Sequence, residues 1–289
     1  MTHNALTGRT LLMSGGSRGI GLAIAVRAAR EGANIAFIAK TSEPDPRTPG
    51  TVHTAAAEIQ AAGGTVLPIV GDVRDEDAVQ RAVEQAVGAF GGIDIVVNNA
   101  SAIALTGYGD LPLKRYDLML DINARGTFLM NSAALPYLLK SPDPRVLTLS
   151  PPINLDPVWL REHAPYTVSK YAMTLLTLGF AEQFRDQNIT ANCLWPETLI
   201  ATAAVKNVVA GDEGIRAART PDIMADAAAI LLTRPTDPAI GVGTGVGNGV
   251  GTGQCYIDAD VLRSNGVTDL SPYAVGGVSE DQLARDLFL

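Results

Sequence analysis

Aromatic residues, cysteine and concentrated positive charge are all scarce in this sequence, and each scarcity closes off a class of protein. Phe, Trp and Tyr make up 5% of the 289 residues, against 47% apolar and 18% charged. A globular chain poor in large rings and rich in Ala and Gly packs helices closely on a sheet; it does not fill an aromatic-rich β-sandwich. The two cysteines, Cys193 and Cys255, have no metal-ligand spacing and make no disulfide framework. No metal is expected. Lys and Arg number 22 against 30 Asp and Glu, a net charge of -8, and form no block. A nucleic-acid or anionic-membrane partner would need a basic footprint. No apolar run reaches the roughly 18 residues of a membrane span, and no charged-plus-apolar leader precedes Gly8. The expectation is a reduced, soluble, cytoplasmic protein with no membrane insertion.

What the sequence does have is alternation. Thr10–Ser14, Asn34–Ala39, Thr65–Val70 and residues 93–98, 145–150, 189–194 and 254–258 read as strands. Residues 19–31, 52–62, 75–90 and 113–140 carry helical periodicity. Apolar strands separated by helices predict an α/β fold, a single Rossmann-type doubly wound parallel sheet with helices on both faces. Asp75 is placed to cap its helix, and Gly91-Gly92 to end it. Thr220-Pro221-Asp222 reads as an N-cap, a first-turn proline and a first-turn acid, opening a helix that runs to about Leu232.

One domain over 1–289 is expected, with two irregular stretches and a C-terminal extension, 260–289. Residues 41–50, with three prolines, predict an ordered loop over a bound ligand. Residues 241–253 alternate Gly with small residues and predict a flexible insert.

Between the first strand and first helix stands Ser14-Gly15-Gly16-Ser17-Arg18-Gly19-Ile20-Gly21. Glycines there let the backbone turn tightly and approach a pyrophosphate, whose charge meets the free N–H groups of the helix start. Strand, turn and helix in that order make this a dinucleotide site.

The run resembles the TGxxxGxG turn of the short-chain dehydrogenase/reductase family, with Ser14 for the usual Thr. Asn98-Asn99-Ala100-Ser101 resembles that family's NNAG element, with Ser101 for Gly, and Gly71-Asp72-Val73 the segment whose Asp contacts adenine. The likeness runs from about Gly8 to about Asp260. AKTSEP after the second strand, SPPINL after the fifth and LWPET after the sixth are similar to the hydroxysteroid-dehydrogenase-like protein 2 subgroup, and no additional C-terminal lipid-carrier domain is expected. The resemblance implies cofactor contacts at Gly15, Ser17, Arg18, Gly19, Ile20, Gly21, Asp72, Val73, Asn99 and Ala100. It also implies a homo-oligomer, dimer or tetramer, paired through the long helices after strands four and five.

The end of the second strand chooses the cofactor. An acid there accepts from the ribose 2′-OH of NAD; here stand Ala39, Lys40 and Thr41. Lys40, helped by Arg18, attracts a 2′-phosphate, so NADP(H) is expected over NAD, although Glu43 dissents.

Tyr166 and Lys170 lie four apart on a helical stretch and share a face. A neighbouring ammonium favours the phenolate and is expected to lower the Tyr166 pKa. In ketone reduction Tyr166 would protonate the carbonyl oxygen as hydride reaches carbon. The resemblance gives Lys170 a second task, bonding the nicotinamide ribose. It makes Asn123 a helix-interrupting residue that holds a water relay to Lys170.

The family's serine after the fifth strand is missing. Alignment of the strand puts Pro151 there, and counting back from Tyr166 lands on Ile153. Ser150, Asn154 or nothing supplies the donor. Trp159, Leu160, Trp195 and Leu199, with a lid over 201–219, suggest an apolar substrate pocket. The reading is an NADP(H)-dependent oxidoreductase interconverting a secondary alcohol and a ketone on an apolar or lipid-like small molecule. Pro151 motivates the alternative, a catalytically weak nucleotide-binding regulatory or scaffolding protein on the same fold.

Overall fold

Seven strands lie parallel in one sheet, in the order β3-β2-β1-β4-β5-β6-β7. In the computed structural model, which describes residues 4–45, 49–237 and 249–289, they are β1 Thr10–Ser14, β2 Asn34–Ala39, β3 Thr65–Val70, β4 Ile95–Asn98, β5 Arg145–Leu149, β6 Thr190–Trp195 and β7 Cys255–Ile257. The helices are α1 Gly19–Arg30, α2 Val52–Ala61, α3 Glu76–Phe90, α4 Leu113–Met119, α5 Gly126–Leu138, α6 Pro157–Gln183, α7 Gly211–Arg216, α8 Asp222–Thr233 and α9 Asp258–Ser264. The expected doubly wound architecture is present.

The strands alternate between two cores. Leu11, Met13, Ile35 and Phe37 face α1, α2, α8 and α9. Leu12, Ala36, Ile38 and Val96 face α3 and α5. Covering both faces makes β1, β4, β5 and β6 buried at every position, so their apolar residues do not alternate with exposed polar ones. Pro68 sits in β3, an edge strand, where its missing N–H costs no ladder bond on the open side.

The structure corrects several boundaries. β4 starts at Ile95, not 93. The Asp94 carboxylate is occupied by Thr10 N and the Ser141 hydroxyl at 2.8 and 2.6 Å. β5 ends at Leu149 and β6 is displaced by one residue to Thr190–Trp195. The single helix expected over 113–140 is two, α4 and α5, joined by a π-helical turn, Leu120–Arg125. Asp75 does cap α3, accepting from Asp77 N and Ala78 N, and Gly91 ends it at φ +88°. Thr220 does not cap α8. Its hydroxyl donates to Asp222 Oδ2, and Pro221, already near helical dihedrals, takes the cap position. Residues 46–48 and 241–248, from the expected loop and insert, lie outside the described residues.

One row of paired residues runs across the sheet near the carboxyl ends: Ile38, Ser14, Asn98, Thr148, Cys193 and Cys255. In an open α/β sheet a ligand lies in the crevice beyond those ends. There the candidate site is built.

Candidate active site

The glycine turn packs against the end of β4. Asn99 Nδ2 donates to Gly15 O at 2.7 Å, and the Ser14 hydroxyl accepts from Asn99 N and Ala100 N at 3.2 Å. A β-carbon on Gly21 would sit 2.4 Å from Asn99 Nδ2 and 2.5 Å from Gly15 O, so only glycine fits. Gly15 and Gly19 also have positive φ, +78° and +55°. No side chain caps α1, which leaves its first N–H groups for an anion. Ser17 is buried, Ile20 packs on the core, and Thr202 reaches over the turn to within 3.3 Å of a β-carbon at Gly19. These features fit a dinucleotide pyrophosphate.

The adenosine end is more basic than expected. Lys40 Nζ is 3.7 Å from Asp72 Oδ2 and largely exposed. Arg74 grips the same carboxylate, Nη2 to Oδ2 at 2.7 Å. Burial would raise the Asp72 carboxyl, but the Arg74 hydrogen bonds and charge, with Lys40 beyond, hold it below the usual carboxylate range. Val73 is buried against Gly126. Arg18 donates to Gly50 O at 2.7 Å, which ties the 41–50 loop to the glycine turn. Arg74 was missed because its contact with Asp72 is made by a turn, not by a periodic element.

Tyr166 and Lys170 sit on α6, where a kink at His163 (φ −148°, ψ 41°) precedes them. Both are buried, at 4% and 2% exposed. Lys170 Nζ donates to Leu149 O at 2.6 Å and lies 5.0 Å from the Trp195 ring centroid. Burial pushes its ammonium down to about 7 against the opposing pull of Cys193 and Asp286. The phenol departs from expectation. Burial first, and Asp286 second, raise the Tyr166 pKa, and Lys170 does not offset them. A buried hydroxyl beside a carboxylate keeps its proton.

Asn123 stands on the π-helical turn, so the helix is interrupted there. Its side chain accepts from Ala102 N at 2.8 Å and donates to Ala102 O and the Ser169 hydroxyl at 3.0 and 2.9 Å. Its carbonyl accepts from Thr127 Oγ1 at 2.7 Å. Those hydrogen bonds go to Ala102, in the loop after β4, and to Ser169, not to Lys170. Asn98 bonds Asn131 and Thr148 and braces the sheet.

At the serine position Pro151 offers only its carbonyl, taken by Thr174 Oγ1 at 2.7 Å. Ser150 is fully buried, its hydroxyl beside the Cys193 thiol, so it does not reach the cleft. Asn154 does face inward, with Nδ2 donating to Phe288 O at 2.9 Å. Glu197, standing for the family's glycine, turns outward to Arg219 and Arg263, at 2.8 and 2.9 Å.

The sequence reading missed the C-terminal segment. Phe288 is 1% exposed among Trp159, His163, Tyr166, Tyr171 and Trp195, with ring centroids 5.3 to 6.0 Å away. His163 therefore belongs to the cleft, and its Nε2 is buried without a hydrogen-bond partner among the described residues. Asp286 lies close to Lys170, and burial, then Asp258, raises its carboxyl to about 7. No local signal in residues 280–289 marks them as part of a cleft built far earlier in the chain.

The family model for short chain dehydrogenases matches residues 9–213. Hydroxysteroid dehydrogenase-like protein 2 of Danio rerio is 50% identical over 270 residues, and its Homo sapiens counterpart 46% over 271. In both, the match covers 93% of this chain but 61% of the relative's length. Among solved structures, a Xanthomonas campestris chain is 50% identical with a TM-score of 0.89, each chain covered to 98%. A short chain dehydrogenase from Mycobacterium thermoresistibile is 49% identical with a TM-score of 0.86, covering 98% of this chain and 95% of its own. No helix among the described residues is long and apolar enough to cross a membrane.

Proposed function

The chain belongs to the short-chain dehydrogenase family, with hydroxysteroid dehydrogenase-like protein 2 sequences among its relatives, and from that premise we propose that it is an NADP(H)-dependent oxidoreductase. It interconverts a secondary alcohol and a ketone on an apolar or lipid-like molecule. The observation that carries the reading is the buried Tyr166–Lys170 pair, one helical turn apart, with Lys170 bonded to Leu149 O at the carboxyl end of β5.

In this reading Gly15, Ser17, Gly19, Ile20, Gly21, Asn99 and Ala100 line the pyrophosphate and nicotinamide path. Asp72 and Val73 bound the adenine. Lys40, Arg18 and Arg74 favour a 2′-phosphate over a bare hydroxyl. The bound cofactor supplies or takes the hydride. Tyr166 is the proton donor to the ketone oxygen, and a phenol whose pKa is raised is in the form that task needs. Lys170, held near neutrality, restores that proton and, once charged, favours the phenolate for the reverse reaction. Asn123 is a positioning residue that clamps the loop at Ala102 to Ser169, next to Lys170. Exposed apolar residues on α5 and α6, such as Phe128 and Leu175, support a homo-oligomer paired along those helices.

A screen of ketones with the purified chain and NADPH tests the proposal. Sustained NADPH oxidation by an apolar ketone is the expected result. Stoichiometric NADPH binding with no turnover across the screen would favour the second reading, a nucleotide-binding regulatory protein, which Pro151 at the serine position motivates.

A further inference from the structure

The segment after Ala284 crosses the cleft as an ordered strap. Leu199 N donates to Ala284 O at 2.9 Å, Thr198 bridges Arg285, and Asp286 N donates to Glu197 O at 3.1 Å. Trp195 Nε1 then takes Leu287 O at 2.9 Å, and Asn154 Nδ2 takes Phe288 O at 2.9 Å. The last contact is built on a strained residue, because Phe288 has φ +75°, in the left-handed region that non-glycine residues rarely adopt. Strain of this kind persists only where the surroundings hold it, and here five rings hold it.

From these contacts the structure assigns Phe288 as an internal stand-in for the substrate. The ring cage takes a flat apolar group of phenyl size, and the Asn154 amide takes the substrate oxygen in place of the missing serine. The inference rests on the oxidoreductase reading and names its substrate class. Phe288 presents a phenyl ring, one methylene, one further carbon and then a carbonyl. The small molecule with that skeleton is 4-phenyl-2-butanone, and its alcohol is 4-phenyl-2-butanol. Tyr166 lines the same cage, its ring 6.0 Å from that of Phe288, so a guest seated there lies against the proton donor. His163 Nε2, without a hydrogen-bond partner among the described residues, gives the cage a further polar contact. A guest must displace the strap, and a strap seated nine times in ten weakens apparent affinity by about tenfold.

The chain has two tryptophans, Trp159 and Trp195, and both rings lie within 6.0 Å of Phe288, so their fluorescence reads the cage without turnover. The experiment titrates 4-phenyl-2-butanol, with 2-butanol as the control lacking the ring, into the parent chain and Phe288→Gly, both saturated with NADPH. Glycine keeps the φ +75° backbone while emptying the cage. Phe288→Gly is expected to bind 4-phenyl-2-butanol about tenfold or more tightly than the parent, with 2-butanol unchanged. Adding Asn154→Leu is expected to reverse most of that gain. A variant lacking residues 286–289 provides the second test and is expected to match Phe288→Gly. Equal or weaker binding by both variants overturns the proposal, because the strap would then be a wall of the pocket. NADPH affinity, followed by the nucleotide's own fluorescence, separates the two levels: its absence in the parent sinks the oxidoreductase reading, whereas its presence without a gain sinks only this inference.

Discussion

Lys170 donates its ammonium proton to Leu149 O at 2.6 Å, fixing the lysine of α6 to the end of β5. Its other contact is the weakly accepting Met173 Sδ at 3.4 Å, so much of the desolvation of this buried ammonium is uncompensated and the group falls to about 7.

The protonated lysine supports ketone reduction, so kcat/KM for that direction is expected to fall as pH rises through about 7. Lys170→Met should lower the rate by about 10²–10⁴ and flatten the profile. Steady-state NADPH oxidation between pH 5.5 and 9, a range spanning about 7, is the measurement. A parent profile that rises across neutrality would contradict the role.

Cofactor choice is expected to turn on Lys40. Lys40→Glu places a carboxylate where a 2′-phosphate would sit and should weaken NADPH binding by about tenfold or more, since a charge-assisted contact is worth about 1.5–3 kcal/mol. NADH affinity should stay level or improve. Titration of both nucleotides by fluorescence decides it, and equal losses for the two would refute the assignment.

Leu175 is 61% exposed on α6 and Phe128 55% exposed on α5, an apolar surface that a monomer would leave in water. Leu175→Glu is expected to shift the protein to a smaller assembly in light scattering coupled to size exclusion. An unchanged mass would place the contact elsewhere.

Local chemistry made the fold legible. β1, β2 and β3 were read to the residue because each has a short apolar run that a polar residue opens. The glycine turn and the Tyr166–Lys170 spacing were legible for the same reason, being short and contiguous. Three features were not. The π-helical turn at Asn123 keeps helical periodicity on both sides, so the sequence looks continuous. The Arg74 grip on Asp72 depends on how a turn folds back. The burial of Phe288 depends on the whole sheet first bringing Trp159, Tyr166 and Trp195 together. The raised Tyr166 pKa follows from that last feature, because neighbour spacing carries no information about burial.

Asp258 and Asp286 are both raised to about 7, first by burial, and Asp258 Oδ2 has no hydrogen-bond partner among the described residues. The folded state therefore holds protons that the unfolded chain releases near 3.8, and the contribution of these two groups to stability should fall as pH rises from about 4 to about 7. Asp258→Asn is expected to shrink the drop in Tm across that window. Thermal melts from pH 4 to 8, bracketing that window, test it; an unchanged slope would locate the effect in other groups.

The central claim is that the Tyr166 hydroxyl moves the proton, and Tyr166→Phe removes that one oxygen from a ring already packed in place. With an apolar ketone that the parent reduces, the account predicts NADPH binding within about twofold of the parent and a rate lower by at least about 10². Turnover by the phenylalanine variant at the parent's rate would contradict it.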